Sequence, residues 1–310
     1  MKNKVFTLSI VLTIALLLAA CAGSPTAAPA AEPTAVEAPT AAAAVEATAA
    51  EPAAPAANQP EGCLGSPDTA LVDLECREVT IAVENAYLPF NYIELKTGEP
   101  GGWDYDAWTE ICTRLRCTPV FVETGWDGLI QSVADGQTNV GADGLTNTEE
   151  RQKIVDFSIN YLKIEQRLLV RKGETRFASI EELAANPEFT LATQSGTTNY
   201  ETAVKFLSED RIQAFEQMPF AVQTLIGGDV DAVLIDAVAG MGYMGENADQ
   251  LEFVGPSISS DGLGFIFPKG SDLVAPVNQA IEAMQADGTL DEINTRYFGP
   301  DFKITSEDIK

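Results

Sequence analysis

Histidine is absent from all 310 residues, and basic residues are scarce, 19 Lys and Arg against 46 Asp and Glu. Without an imidazole there is no Ser-His-Asp triad, no Cys-His dyad and no zinc site built on histidine. A formal charge of -27 excludes the basic face that DNA or RNA binding requires. Long apolar runs are also lacking. A single uninterrupted run lies at the N-terminus, so the chain does not read as a polytopic membrane protein. What is present is a hydrophobic share of 45% with 8% aromatics, enough for a sizeable core in most of the chain. The length predicts two domains.

Residues 1–20 read as an export signal: Lys2 and Lys4, then an apolar stretch ending in small residues. Leu18-Ala19-Ala20-Cys21 resembles the bacterial lipobox. That resemblance implies cleavage before Cys21 and a diacylglycerol on its sulfur, with two or more acyl chains giving a stable anchor. Removing residues 1–20 takes away two lysines and no acid, which leaves the chain more acidic still. Residues 22–60 hold 18 Ala, 7 Pro and no aromatic. Scattered prolines break each helical run and nothing there can build a core. Residues 21–60 are therefore expected to be a disordered, extended tether that spaces a folded head from a membrane surface.

Four cysteines remain beyond Cys21, an even number in an exported chain, which reads as disulfides. Proximity favours Cys63 with Cys76 and Cys112 with Cys117. No C-x-x-C pair supports the metal alternative. The second pair has a structural consequence. Residues five apart on a continuous helix are too distant to be bridged, so the helix holding Trp108 and Ile111 must end near residues 114–116.

From Arg77 onward, β-branched runs alternate with helical stretches. Strands are expected at 79–83, 119–123 and 139–142, with helices at 105–115, 127–134 and 149–155. The series restarts with a strand at 190–193, helices at 200–208 and 222–227, a strand at 231–235 and a last helix at 274–285. This alternation predicts an α/β fold with mainly parallel sheets covered by helices. Open sheets of that kind bind ligands beyond the carboxyl ends of their strands. The polar segments at such ends are Glu84-Asn85-Ala86-Tyr87, Asp143-Gly144-Leu145-Thr146, Gln194-Ser195-Gly196-Thr197-Thr198, and Asp236. Thr146 with Glu149 also spells a helix capping box, and Gly196-Thr197-Thr198 has the look of a turn or a helix start. Gly240-Met241-Gly242-Tyr243-Met244-Gly245 matches the dinucleotide fingerprint by letter. It does not begin at a strand end, however, so small residues on a helix face are the better reading.

Seven motifs then occur in order: Ile81-Ala82-Val83-Glu84-Asn85-Ala86-Tyr87-Leu88-Pro89-Phe90, Gly102-Trp103-Asp104-Tyr105-Asp106, Trp126-Asp127-Gly128-Leu129-Ile130, Thr146-Asn147-Thr148-Glu149-Glu150-Arg151, Asp156-Phe157-Ser158, Ser195-Gly196-Thr197-Thr198 and Ala286-Asp287-Gly288-Thr289. Over residues 78–298 the chain resembles the bacterial extracellular solute-binding proteins of family 3, receptors of polar amino-acid ABC importers. The resemblance implies a two-lobed clamshell of the type II periplasmic-binding-protein kind. Its first lobe would comprise 61–163 with 263–310, and its second 164–262. The chain would cross near 161–166 and return near 259–263, and the lobes would close on the ligand about these strands. In this reading Arg151 grips an α-carboxylate through its planar, permanently charged fork. Thr198, with Thr197 beside it at the helix start, adds donors. Asp236 accepts from the α-ammonium, with Gly144 and Thr146 completing its shell. Tyr87 and Trp126 sandwich the ligand, while Glu84 and Gln194 face its side chain.

The pattern departs at Asp143, where many relatives carry a small residue. With Glu84 and Asp236 this sets three acids against Arg151, and buried unpaired charge costs several kcal/mol. A ligand with a cationic side chain would supply the missing charge; if Asp143 points away, other polar amino acids stay in play. No cofactor or metal is expected. The implied partners are an ABC permease and its ATPase on separate chains, with the monomer anchored at the outer face of the cell membrane. The fold also serves sensor domains of signalling receptors, but no second span or signalling domain is read here. It resembles cyclohexadienyl dehydratases too, in which Glu84 or Asp143 would act as a general base.

Overall fold

The computed structural model describes residues 62–299, 301–305 and 308–309, except Ala248. The export signal, Cys21 and the tether lie outside these residues. The β-branched run at the start becomes the strand Glu78–Val83, with Val79, Ile81 and Val83 fully buried. It sits second in a five-stranded sheet ordered Thr118–Glu123, Glu78–Val83, Val140–Gly141, Ile266–Pro268, Val155–Phe157. A second five-stranded sheet is ordered Ile212–Phe215, Leu191–Gln194, Ala232–Asp236, Leu162–Arg171, Leu251–Leu263. In both sheets four strands point one way and the fourth in order points the other. The odd strands, Leu162–Arg171 and Ile266–Pro268, are those by which the chain enters each sheet from the other. A small three-stranded sheet, Ala86–Tyr87, Asn91–Ile93 and Pro100–Gly101, stands beside the first.

The chain passes between the sheets along two antiparallel strands, paired from Ser259 opposite Gln166 to Leu263 opposite Leu162. Their first-sheet end is fixed by aromatics. Tyr161 stacks on Trp103 with ring centres 4.5 Å apart and lies 4.5 Å from Phe265. All three rings are buried.

The helix Trp103–Leu115 ends where the disulfide argument requires. Arg116 takes the left-handed conformation, and the Cys112 and Cys117 Cα atoms lie 4.6 Å apart. Cys63 and Cys76 form the other bridge. Gly240 lies within the helix Ala237–Met244, where a Cβ would come 2.5 Å from the Phe253 ring, which identifies a packing position.

Other expectations need correcting. Residues 149–155 are not a helix: a single 3-10 turn, Arg151–Lys153, gives way to the strand Val155–Phe157, because Ile266–Pro268 offers those residues a pairing edge. The capping box at Thr146 does not form. Thr148 accepts from the Arg151 N–H instead, and Thr146 bridges to Leu263. The helix expected at 200–208 runs Thr198–Ala203. The helix at 274–285 is not the last: Gly288 turns left-handed after Val274–Asp287, and a further helix, Thr289–Phe298, follows.

Gly141 lies at the centre of the first sheet, next to the segment that carries Asp143. A Cβ there would come 2.7 Å from Ile266 Cγ1 and 3.0 Å from Leu129 Cδ2, both on fully buried side chains. Gly141→Ala is expected to destabilise the protein by about 1–3 kcal/mol, the usual penalty of overpacking. Urea denaturation monitored by tryptophan fluorescence measures it.

Candidate functional site

The carboxyl ends of the two sheets face one shared cavity. All eleven residues singled out from the sequence line it, joined by Asn199 and Met218. The reason is local in each case. Glu84 follows Glu78–Val83, Asp143 and Gly144 follow Val140–Gly141, Gln194 ends Leu191–Gln194, and Asp236 ends Ala232–Asp236. Trp126 and Thr198 are the first residues of helices, Thr197 is a helix N-cap, and Arg151 opens the 3-10 turn. Gly144 has φ of 57°, and a Cβ there would lie 2.8 Å from the Tyr87 ring, so this wall of the cavity needs glycine.

One end of the cavity carries the bidentate cation. Arg151 is buried, donates from Nη1 to the Thr146 carbonyl at 3.0 Å, and stacks over Trp126 at 5.4 Å. Burial lowers its pKa, against the opposing influence of Glu201 and Asp236. The Thr146 and Thr198 hydroxyls meet at 3.3 Å, and Gln166 donates to Thr198 from behind. The Thr197 hydroxyl is committed to the fold: it donates to the Gln194 carbonyl and accepts from the Tyr200 N–H. Asp236 accepts from the Tyr87 hydroxyl at 2.6 Å and from Asn199 at 3.3 Å, and burial pushes its pKa up to about 6.

At the other end are acids. Glu84 accepts from Gln194 Nε2 at 3.1 and 3.2 Å, and Gln194 also donates to the Glu216 carbonyl. Asp143 points into the protein, not away. Its Oδ1 accepts from Asn91 Nδ2, while its buried Oδ2 has no hydrogen-bond partner among the described residues. Burial raises the Glu84 pKa to about 8, helped by the charges of Asp143 and Asp127. Burial likewise raises Asp143 to about 7, opposed by hydrogen bonds from Asn91 and the Glu84 backbone. The charges that act on Glu84 are thus further acids, and Arg151 interacts with Asp236 and Glu201 instead. Among the described residues no cluster of three or more acids or cysteines is placed to hold a metal ion.

Asn199 and Met218 escaped the sequence reading. Asn199 follows Thr198 in a polar helix start and had a weak signal there. Met218, 1% exposed, is indistinguishable by type from a core residue.

With this geometry in hand, comparison with known proteins is decisive. The model of the bacterial extracellular solute-binding proteins, family 3, matches residues 79–300. The chain belongs to that family. The L-cystine-binding protein TcyJ of Escherichia coli K12 is 27% identical over 223 residues, 71% of this chain and 82% of that protein. The L-arginine-binding protein of Pseudomonas aeruginosa PAO1 is 28% identical over 247 residues, 73% of this chain and 89% of the relative. Among solved structures, an ancestral arginine-binding protein bound to glutamine superposes with a TM-score of 0.66 at 31% identity, covering 72% of this chain and 98% of its own.

The cleft makes a prediction about pH. The chain has no histidine, so the raised acids are the side chains that titrate between about pH 5 and 8. Their folded pKa values exceed their unfolded ones, so across that window the folded state holds protons that the unfolded chain has released. Stability must then fall as pH rises. The Tm of ligand-free protein at constant ionic strength is expected to decrease from pH 5 to pH 8, and Glu84→Gln with Asp143→Asn is expected to flatten the trend.

Proposed function

We propose that the chain is an extracytoplasmic receptor for a polar amino acid with a cationic side chain, which it delivers to an ABC importer without changing a bond. The observation that carries this reading is the division of the cavity: one buried arginine near Asp236 at one end, and at the other two buried acids that pair with no base among the described residues. Arg151 and Thr198 would take the α-carboxylate, and Asp236 the α-ammonium, with Gly144 and Thr146 beside it. Tyr87 and Trp126 would cover the apolar part of the ligand. Glu84 and Asp143, with Gln194, would take the cationic head. A guanidinium or ammonium there replaces the protons that burial otherwise imposes on the two acids.

The lobes in this proposal are residues 61–163 with 263–310, and 164–262, hinged at the paired crossing strands. Contacts available only when both halves engage the ligand would drive closure. A diacylated Cys21 and the 21–60 tether would hold this monomeric receptor near its permease. A second reading, general-base catalysis of the dehydratase kind by Glu84 or Asp143, is favoured by their raised pKa values; turnover of prephenate or arogenate would establish it in place of transport.

Calorimetry across the amino acids tests the proposal. Arginine, lysine or ornithine is expected to bind most tightly, and tight glutamate binding with no response to arginine or lysine would refute the cationic reading. Arg151→Ala is expected to weaken binding by about 30-fold or more, the cost of leaving a buried charge without its partner. Its ligand-free Tm should stay near that of the parent; unchanged affinity would remove Arg151 from the site. Labelling with radioactive palmitate is expected to mark the parent chain and not Cys21→Ala.

A further inference from the structure

Behind the acidic end of the cavity lies a third carboxylate, on none of the cavity-lining segments. Asp104, in the helix Trp103–Leu115, is fully buried, and its Oδ2 accepts from Asn91 Nδ2 at 2.9 Å. The same nitrogen donates to Asp143 Oδ1. Asn91 Oδ1 accepts the Asn85 backbone N–H at 2.7 Å, which settles which end of the carboxamide is nitrogen. Both N–H groups of one buried amide are therefore spent on two different carboxylates. Asp143 is 1% exposed and lines the cavity, and its buried Oδ2 has no hydrogen-bond partner among the described residues. Asn91 itself does not line the cavity.

Resting on the functional reading above, we propose that Asn91 is a positioning residue that sets the selectivity of the site. By holding one oxygen of Asp143 it presents the other to the cationic head of the ligand and keeps that carboxylate available as an anion. The neighbours of Asp143 make this role necessary. The groups facing it are Glu84 and Asp104, both acids, and the buried phenols of Tyr87, Tyr105, Tyr161 and Tyr243. Burial raises Asp104 well above the usual carboxylate range, opposed by the hydrogen bond from Asn91 and reinforced by the charge of Asp143. Without the Asn91 N–H, Asp143 would keep only the hydrogen bond from the Glu84 backbone, and burial among acids and phenols would favour its protonated form, so that the cavity would lose an anion.

The experiment measures Kd for L-arginine, L-lysine and L-glutamine at pH 5.5 and 8.0 by calorimetry. It uses the parent protein, Asn91→Ala, Asp143→Asn and the double variant, with Tm as the check on folding. Asn91→Ala is expected to weaken arginine and lysine by about 10- to 100-fold and to hold glutamine within about threefold. It should also flatten the rise of arginine affinity with pH and add little on the Asp143→Asn background. A merely structural role would weaken all three ligands alike and add fully to Asp143→Asn; that result, or unchanged arginine affinity, overturns the proposal. Should Asn91→Ala fail to fold, the isosteric Asp143→Asn alone must lose cation selectivity and the pH response, and its failure to do so overturns the proposal equally. A parent protein that binds no cationic amino acid overturns the functional reading itself. One that binds it, with selectivity intact in Asn91→Ala, overturns only the role of Asn91.

Discussion

Two acids buried together, with no basic partner among the described residues, are the constraint around which this cleft is organised. Glu84 and Asp143 follow adjacent strands of one sheet, paired at Ile81 with Val140 and Ala82 with Gly141, so the fold itself forces their side chains into the same space. Burial would ordinarily be relieved by protonation, and both pKa values rise accordingly. Protonation, however, leaves the Asp143 Oδ2 without a partner among the described residues. A protonated acid fills the electrostatic requirement and not the geometric one. A planar or tetrahedral cation with several N–H donors satisfies both, which is why the same feature that depresses stability can raise affinity.

The second sheet turns that constraint into a device with two halves. Glu84 meets Gln194, and Tyr87 meets Asp236, each pair joining residues from different sheets. These are polar bonds between groups that a ligand would also engage. The Tyr87 hydroxyl donates to Asp236, the acceptor assigned to an ammonium, and Asn199 donates to its other oxygen. Such bonds exist only when the halves are together, so a ligand that adds donors to Asp236 and Glu84 strengthens one arrangement over the other. Differential contact of this kind is the source of any population shift. The paired strands Leu162–Arg171 and Leu251–Leu263, which the proposal takes as the hinge, are anchored at one end by Tyr161 in an aromatic stack.

What was legible in the sequence follows from the range of the interactions. Strands such as Glu78–Val83 and Ala232–Asp236 declare themselves through short β-branched runs, and polar residues after them fall at ligand-binding strand ends by a general rule. Residues 149–155 misled because their pattern is helical locally, while the strand Ile266–Pro268, more than a hundred residues on, offers a better pairing and makes Val155–Phe157 the edge of the sheet. Asn91 carried no signal at all. Its role depends on Asn85, Asp104 and Asp143 converging from a bend between two strands, a helix and a loop, and no periodicity encodes a convergence of that kind. The direction of Asp143, open at the level of sequence, was decided by that same amide.

The acid excess and the missing histidine finally bear on one question, the choice between charged ligands. Forty-six acids against nineteen bases give the molecule a negative field that draws cations toward a cleft and repels glutamate or aspartate. The effect is strongest at low ionic strength and fades beyond a Debye length of about 8 Å in physiological salt. A field of that kind sets approach; it does not distinguish arginine from lysine. Discrimination must come from the few groups inside, where screening by salt is weak. With no imidazole to change charge near neutrality, the inner groups able to do so are carboxylates raised by burial. Selection by charge in this cleft is consequently a matter of which carboxylates keep their protons, and Asn91 acts on that choice without touching the ligand.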